Sequence, residues 1–236
     1  MSAHNETNLR CFVAILGLSL GIALLAGRAY AGGGNVLPPT AQSHGFTLAD
    51  LAEAVAPFTT SGNNPNFYPH TPFQILYVDP ATQASIPVDG GIVVTGSNRF
   101  TVPAGTAFYV PIISADNAPP VLGEFPTDAQ DAIPYFFDLD QLGAMGISIA
   151  VDGVETLVSE AYLVGPIEAD LQNHGTQIIT LGVFLTPMSV GTHTVTIRGG
   201  FFGALIAETL DLASLGEDFT YTVEVVPGPK PQAAVK

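Results

Sequence analysis

Phe219-Thr220-Tyr221-Thr222-Val223-Glu224-Val225-Val226 puts an apolar or aromatic side chain at every second position and a Thr or Glu between them. A strand turns successive side chains to opposite faces, so this run reads as one buried face and one solvated face. The same rhythm recurs over 192–198, where His193, Val195 and Ile197 oppose Thr192, Thr194 and Thr196. It recurs again over 146–151, where Ile147, Ile149 and Val151 oppose Ser148 and Ala150. Sheets with one wet face are characteristically antiparallel. Asp152-Gly153, directly after the third run, suits the positive backbone angles of a two-residue hairpin turn.

Working outward, further strands are expected over 73–78, 91–95, 99–102, 107–114 and 178–185, punctuated by Gly and Pro. Short strands at this spacing predict an all-β fold: a mainly antiparallel β-sandwich, Ig-like or jelly-roll-like, with one or more short helices. One helix is expected from Thr47, its N-cap, with Asp50 near the positive end, Leu48, Leu51 and Val55 on one face, and Pro57 as its stop. A second helical stretch lies within 127–143, where Thr127 caps a short turn, Pro134 breaks it and 135–142 forms another. Over 199–218 the periodicity fits a helix and an extended hairpin equally.

The 236 residues hold 47% apolar side chains, enough for a single domain with a real core. Arg10 precedes an apolar run over 11–26 that closes on Ala29-Tyr30-Ala31. That order is a secretory signal over 1–31, and the run is short for a bilayer span. A flexible leader over 32–45, a single domain over 46–226 and a disordered tail over 227–236 complete the expected organisation. The expected location is therefore secreted or periplasmic, with no membrane association after cleavage.

With 6 basic against 21 acidic residues the chain carries net charge −15, and removing the signal takes two arginines and one glutamate. Nucleic acid is excluded as a partner, since that affinity comes from Lys and Arg displacing counterions. Cations, basic proteins and uncharged glycans suit such a surface. The single cysteine, Cys11, excludes a disulfide framework and a Cys-based zinc site.

Two segments resemble an uncharacterised family of secreted bacterial β-sandwich proteins. Phe100-Thr101-Val102-Pro103-Ala104-Gly105-Thr106-Ala107-Phe108-Tyr109-Val110-Pro111 is similar to its VPAG, aromatic strand and proline signature. Pro187-Met188-Ser189-Val190-Gly191-Thr192-His193 and the strand after it resemble its P-x-x-x-G-x-H hairpin. The resemblance implies a sandwich outside the cytoplasm and implies no reaction.

The residues able to carry chemistry are few. His174, in an Asn-His-Gly turn beside Glu168 and Asp170, is a candidate general base with two carboxylates. Asp128, Asp131, Asp138 and Asp140 are candidate calcium ligands, though without the EF-hand pattern. Asp116-Asn117 opens another oxygen-rich loop. His193 is expected to point inward and bond a backbone group. Phe67, Tyr68, Tyr135 and Phe136 suit either stacking on sugar rings or plugging the sandwich ends. Motifs for Ser nucleophiles, P-loops, dinucleotides and zinc peptidases are absent. The leading expectation is a non-enzymatic binding or structural module whose partner is an extracellular protein or glycan. A small polysaccharide hydrolase or lyase and a calcium-stabilised adhesion module are the other readings.

Overall fold

The computed structural model describes residues 35–228; the expected signal sequence, the first leader residues and the tail beyond 228 lie outside the described residues. The alternating runs form a β-sandwich-like pair of sheets. The larger has the order β2 (Ala84–Val88), β3 (Gly91–Pro103), β10 (Leu215–Val226), β9 (Gly191–Phe201), β5 (Ala144–Val151), β6 (Val154–Leu157). The smaller has the order β1 (Phe73–Ile75), β4 (Ala107–Asp116), β8 (Gln177–Leu185), β7 (Leu163–Glu168). β1 pairs with β4 and β3 pairs with β10 in parallel; the other ladders are antiparallel.

Register turns the sequence rhythm into a core. Phe219 lies opposite Ile197 and Tyr221 opposite Val195, so the inward residues of β9 and β10 meet side by side. Ile149 lies opposite Ile197 on the next strand. These side chains join Val110, Val183 and Phe184 of the smaller sheet in one buried cluster. Sharing one apolar interior removes far more surface from water than either sheet removes alone.

Several element bounds differ from the sequence reading, each for a local reason. The strands expected over 91–95 and 99–102 are one strand, β3, because Gly96 is a point of close approach and not a turn: a Cβ there would collide with Val78. β2 and β7 were hidden by Pro87 and Pro166 and by weak alternation. β6 is the second arm of the hairpin that Asp152-Gly153 turns. The stretch 199–218 is both things at once: β9 runs to Phe201, a short helix α3 spans Ala204–Leu210, and β10 begins at Leu215.

Helix α1 spans Leu48–Thr60 and does not stop at Pro57. Its start is the expected one, with Asp50 N–H donating to Thr47 Oγ1 at 3.2 Å and Thr47 N–H donating to Asp50 Oδ2 at 2.7 Å. These bonds hold the Asp50 carboxyl below its ordinary pKa. Past Pro57, Thr60 Oγ1 donates to Ala56 O at 2.8 Å and Ser61 N–H donates to Pro57 O at 3.2 Å, so the last turn closes. Helix α2 spans Ala129–Phe137 and its N-cap is Asp128, not Thr127. Asp128 Oδ1 accepts the N–H groups of Gln130 and Asp131 at 2.8 and 3.0 Å. Pro134 lies inside α2, and Asp138 ends it, so no second helix forms over 135–142.

The leader is tied down from Asn35 onward rather than free. Val36 bridges to Leu185, Leu37 N–H donates to Phe184 O at 3.0 Å and Tyr162 Oη donates to Leu37 O at 3.0 Å. Among the described residues no helix is long and apolar enough to cross a membrane.

Ile149 has no exposed surface and sits between β6 and β9. Ile149→Ala is expected to cost about 2–5 kcal/mol in urea unfolding, the range for a truncation that leaves a core void. Leu157→Ala, on the open edge strand and 59% exposed, is expected to cost under about 0.5 kcal/mol.

Candidate functional site

Strand β10 begins four residues before the alternation first quoted. Extending the same parity from Phe219 and Tyr221 puts Glu217 on the inward face, opposite Val94 of β3 and Gly199 of β9. Glu217 lines a cavity of about 200 Å³ bounded by both sheets and α1. As a residue it is half-buried, because the strand at this point also borders a groove on the sheet's outer face; its carboxyl is packed deep. Burial alone pushes that carboxyl up to about 8.

The cavity wall is mixed: aliphatic and aromatic side chains alternate with the neutral polar Thr59, Asn63, Gln83, Ser114 and Thr180. Val55 and Ala56 come from α1, Ile113 from β4, Ile178 from β8, and Phe219 and Tyr221 from β10. Tyr109 lies directly over Gly182, where any Cβ would strike its hydroxyl. Burial raises both Tyr109 and Tyr221, and the nearby Glu217 charge raises Tyr221 further. Among the described residues, neither hydroxyl nor the Glu217 carboxyl makes a hydrogen bond, yet no fully enclosed side-chain oxygen or nitrogen lacks a partner. Their polar atoms therefore open onto the cavity. Gln83 and Ser114, both exposed, mark the side on which it meets solvent.

His174, Glu168 and Asp170 do not assemble. All three are exposed, and the structure shows no hydrogen bond among them. The backbone at His174 is left-handed, which fits the turn reading of that stretch. The same loop is held by Asn173 Nδ2 donating to Asp116 Oδ2 at 2.8 Å and by Asn117 Oδ1 accepting from Thr176 and Gln177 N–H at 2.7 and 3.0 Å. The oxygen-rich Asp116-Asn117 loop thus fastens two turns together.

The four aspartates have separate duties. Asp128 is occupied in capping α2, while Asp131, Asp138 and Asp140 border one open cleft with Glu124. Among the described residues no three His, Cys, Asp or Glu side chains converge as a metal set. The aromatics named from sequence act as plugs: Phe136 and Tyr135 are buried, and Tyr68 packs on Phe58 and Tyr77. Phe67 is the one that stays exposed, at 38%.

His193 stands at the end of the inward row of β9 and closes a small polar device. Its Nδ1 lies 2.7 Å from Asp152 Oδ2 and its Nε2 lies 2.9 Å from Ser189 O. Both ring nitrogens face acceptors, so the imidazolium satisfies the site best. The Asp152 hydrogen bond raises His193, over the opposing effect of burial. Partial burial works to raise Asp152, but the bonds from His193 and Thr194 N–H outweigh it and hold it low.

No family model matches the chain, and no curated protein matches it. Among solved structures, dimeric latent PorU of Porphyromonas gingivalis is similar over 64% of this chain, at 12% identity and TM-score 0.25. This chain covers 11% of the length of PorU. PbICP-C, solved in complex with falcipain-2, is similar over 58% of this chain and 95% of its own, at 10% identity and TM-score 0.20.

Two pH dependences are expected. The His193–Asp152 pair contributes fully above the unfolded Asp pKa of 3.8 and below the unfolded His pKa of 6.5. Its contribution is lost as pH rises through the elevated His193 value or falls through the depressed Asp152 value. His193→Gln should therefore lower Tm most between those limits, by no more than about 1 kcal/mol in equivalent stability given the exposure of Asp152. Glu217 has the opposite effect. Its folded pKa of about 8 exceeds the unfolded 4.5, so its cost is absent below 4.5 and grows up to about 8. The stability gap between Glu217→Gln and wild type should widen across that span, at up to about 1.4 kcal/mol per pH unit, in denaturant titrations at stepped pH.

Proposed function

We propose that this chain serves outside the cytoplasm, secreted or periplasmic, as a non-catalytic β-sandwich module that binds a small molecule in the Glu217 cavity. One observation carries the reading. A carboxyl with no partner sits in a space whose other lining is aliphatic, aromatic or neutral polar (Thr59, Asn63, Gln83, Ser114 and Thr180), with no cation to pair it. Burying such a group without a hydrogen bond costs stability, and a sandwich needs no acid there to fold. A cost of that kind, held at a cavity with phenol hydroxyls beside it, suits a ligand site, where a few polar groups converge on a concave space.

The resemblance to secreted sandwich proteins and the apolar run over 11–26, followed by Ala29-Tyr30-Ala31, support the location. The size of the cavity supports a small ligand. A sugar polymer does not fit inside, so an extracellular protein or glycan partner would meet the outer faces instead.

A thermal-shift screen of the mature chain against neutral, anionic and cationic fragments of four to eight heavy atoms tests the reading. Several fragments should raise Tm with concentration, as expected for any ligand that prefers the folded state. The same fragments should leave the Tm of a cavity-filled variant, Ala56→Leu, unchanged. Equal shifts in that variant, or no shift with any charge class, would overturn the proposal.

A further inference from the structure

The titratable groups lining the cavity are Tyr77, Tyr109, Tyr221 and Glu217, and among the described residues no Lys, Arg, His or Asp lines it. A bound molecule therefore meets one acid and no base. An anion would bring in a charge that no cation of the cavity offsets, and it would hold the acid protonated. A neutral molecule would leave the acid as it is, protonated and without a strong partner. A cation would supply the missing counter-charge, and in a space partly screened from water that pairing is stronger than in bulk solvent.

The walls point the same way. Phe219, Tyr221 and Tyr109 present aromatic rings to the cavity, and ring faces attract cations. The hydroxyls of Tyr109 and Tyr221 have free lone pairs for N–H donors, and a protonated primary amine has three such donors. At longer range the net charge of −15 gathers cations at the surface and repels anions.

We infer that the Glu217 cavity is a site for a small primary ammonium ion with a short aliphatic body. The ammonium donates to the Glu217 carboxylate and to the tyrosine hydroxyls, and the alkyl chain lies against Val55, Ala56 and Ile113. This inference rests on the cavity being a ligand site and adds the charge and class of its ligand. Binding transfers no group between molecules: the Glu217 carboxylic O–H loses its proton to solvent, and the carboxylate pairs with the ammonium.

Three probes of nearly equal size and different charge decide the matter: n-butylammonium, n-butanol and n-butyrate. Calorimetric titration of the full mature chain near pH 6.5 should show butylammonium binding at least tenfold more tightly than butanol, with butyrate not binding. Because burial holds the carboxyl protonated up to about pH 8, close to one proton should be released per ammonium bound. That release is read from titrations in buffers of different ionisation enthalpy, and it should vanish above about pH 9. Glu217→Gln keeps the shape of the side chain and removes the charge. It should weaken butylammonium at least tenfold while leaving butanol within twofold, and its far-ultraviolet circular dichroism should match wild type. Butanol binding as tightly as butylammonium, or the glutamine variant binding butylammonium unchanged, would overturn the ammonium inference and leave the cavity reading intact. None of the three probes binding, with no fragment raising Tm, would remove both.

Discussion

Period-two alternation along Leu215–Val226 leaves no choice about where Glu217 goes. β10 is hydrogen-bonded to β3 on one side and β9 on the other, so it cannot slip by one residue. A slip would carry Phe219, Tyr221, Val223 and Val225 out into solvent and bring Thr220, Thr222 and Glu224 into the core. The apolar residues set the register, and the acid is carried inside with them. A helix in its place could turn the carboxyl toward water by a small rotation. A strand locked on both edges has no such freedom, and the fold bears the cost of the buried acid.

This coupling separates the cavity from the surface carboxylates. Glu168, Asp170, Asp131, Asp138 and Asp140 lie where water solvates them. Asp116 and Asp128 have hydrogen-bonding duties in the scaffold. Asp152 binds the end of a hairpin to the next strand through His193 and Thr194. Glu217 alone among these acids combines deep burial with an unengaged carboxyl. Its neighbours Tyr109 and Tyr221 are held as firmly, one pressed onto Gly182 and the other ranked between Phe219 and Val223.

Much of the architecture was legible from residue pattern, because solvent-facing Thr and core-facing Val, Ile and Phe write their alternation directly into β5, β9 and β10. The capping box at Thr47 was legible for the same reason: its two side chains act within four residues. What escaped was long-range or concealed. Proline normally ends a helix, but Pro57 and Pro134 each open the last turn of a helix that runs only three residues further, so each removes one bond without breaking the element. β2 and β7 contain prolines and lie at sheet edges, where alternation is weak. The cavity escaped because its walls come from α1, β4, β8 and β10, and no local spacing brings these together. The one available signal was the parity of Glu217 with Phe219. It was obscured because 199–218 carries a helix between two strand ends, and the alternation is visible only once the strand is known to begin at Leu215. His174, by contrast, drew notice through adjacency in sequence to Glu168 and Asp170, and adjacency on a turn does not amount to convergence.

The order of strands in the larger sheet bears on how the chain comes into being. β3, made early, has the last strand as its inner neighbour, and more than a hundred residues separate Gly91–Pro103 from Leu215–Val226. Until Leu215–Val226 has been made, the middle of the larger sheet is a gap with two bare edges. The two parts of the larger sheet, β2–β3 and β9–β5–β6, are joined only when β10 pairs across a long stretch of sequence. Losing β10 would leave nearly all the apolar side chains in place while baring the facing edges of β3 and β9, and self-association would be the outcome.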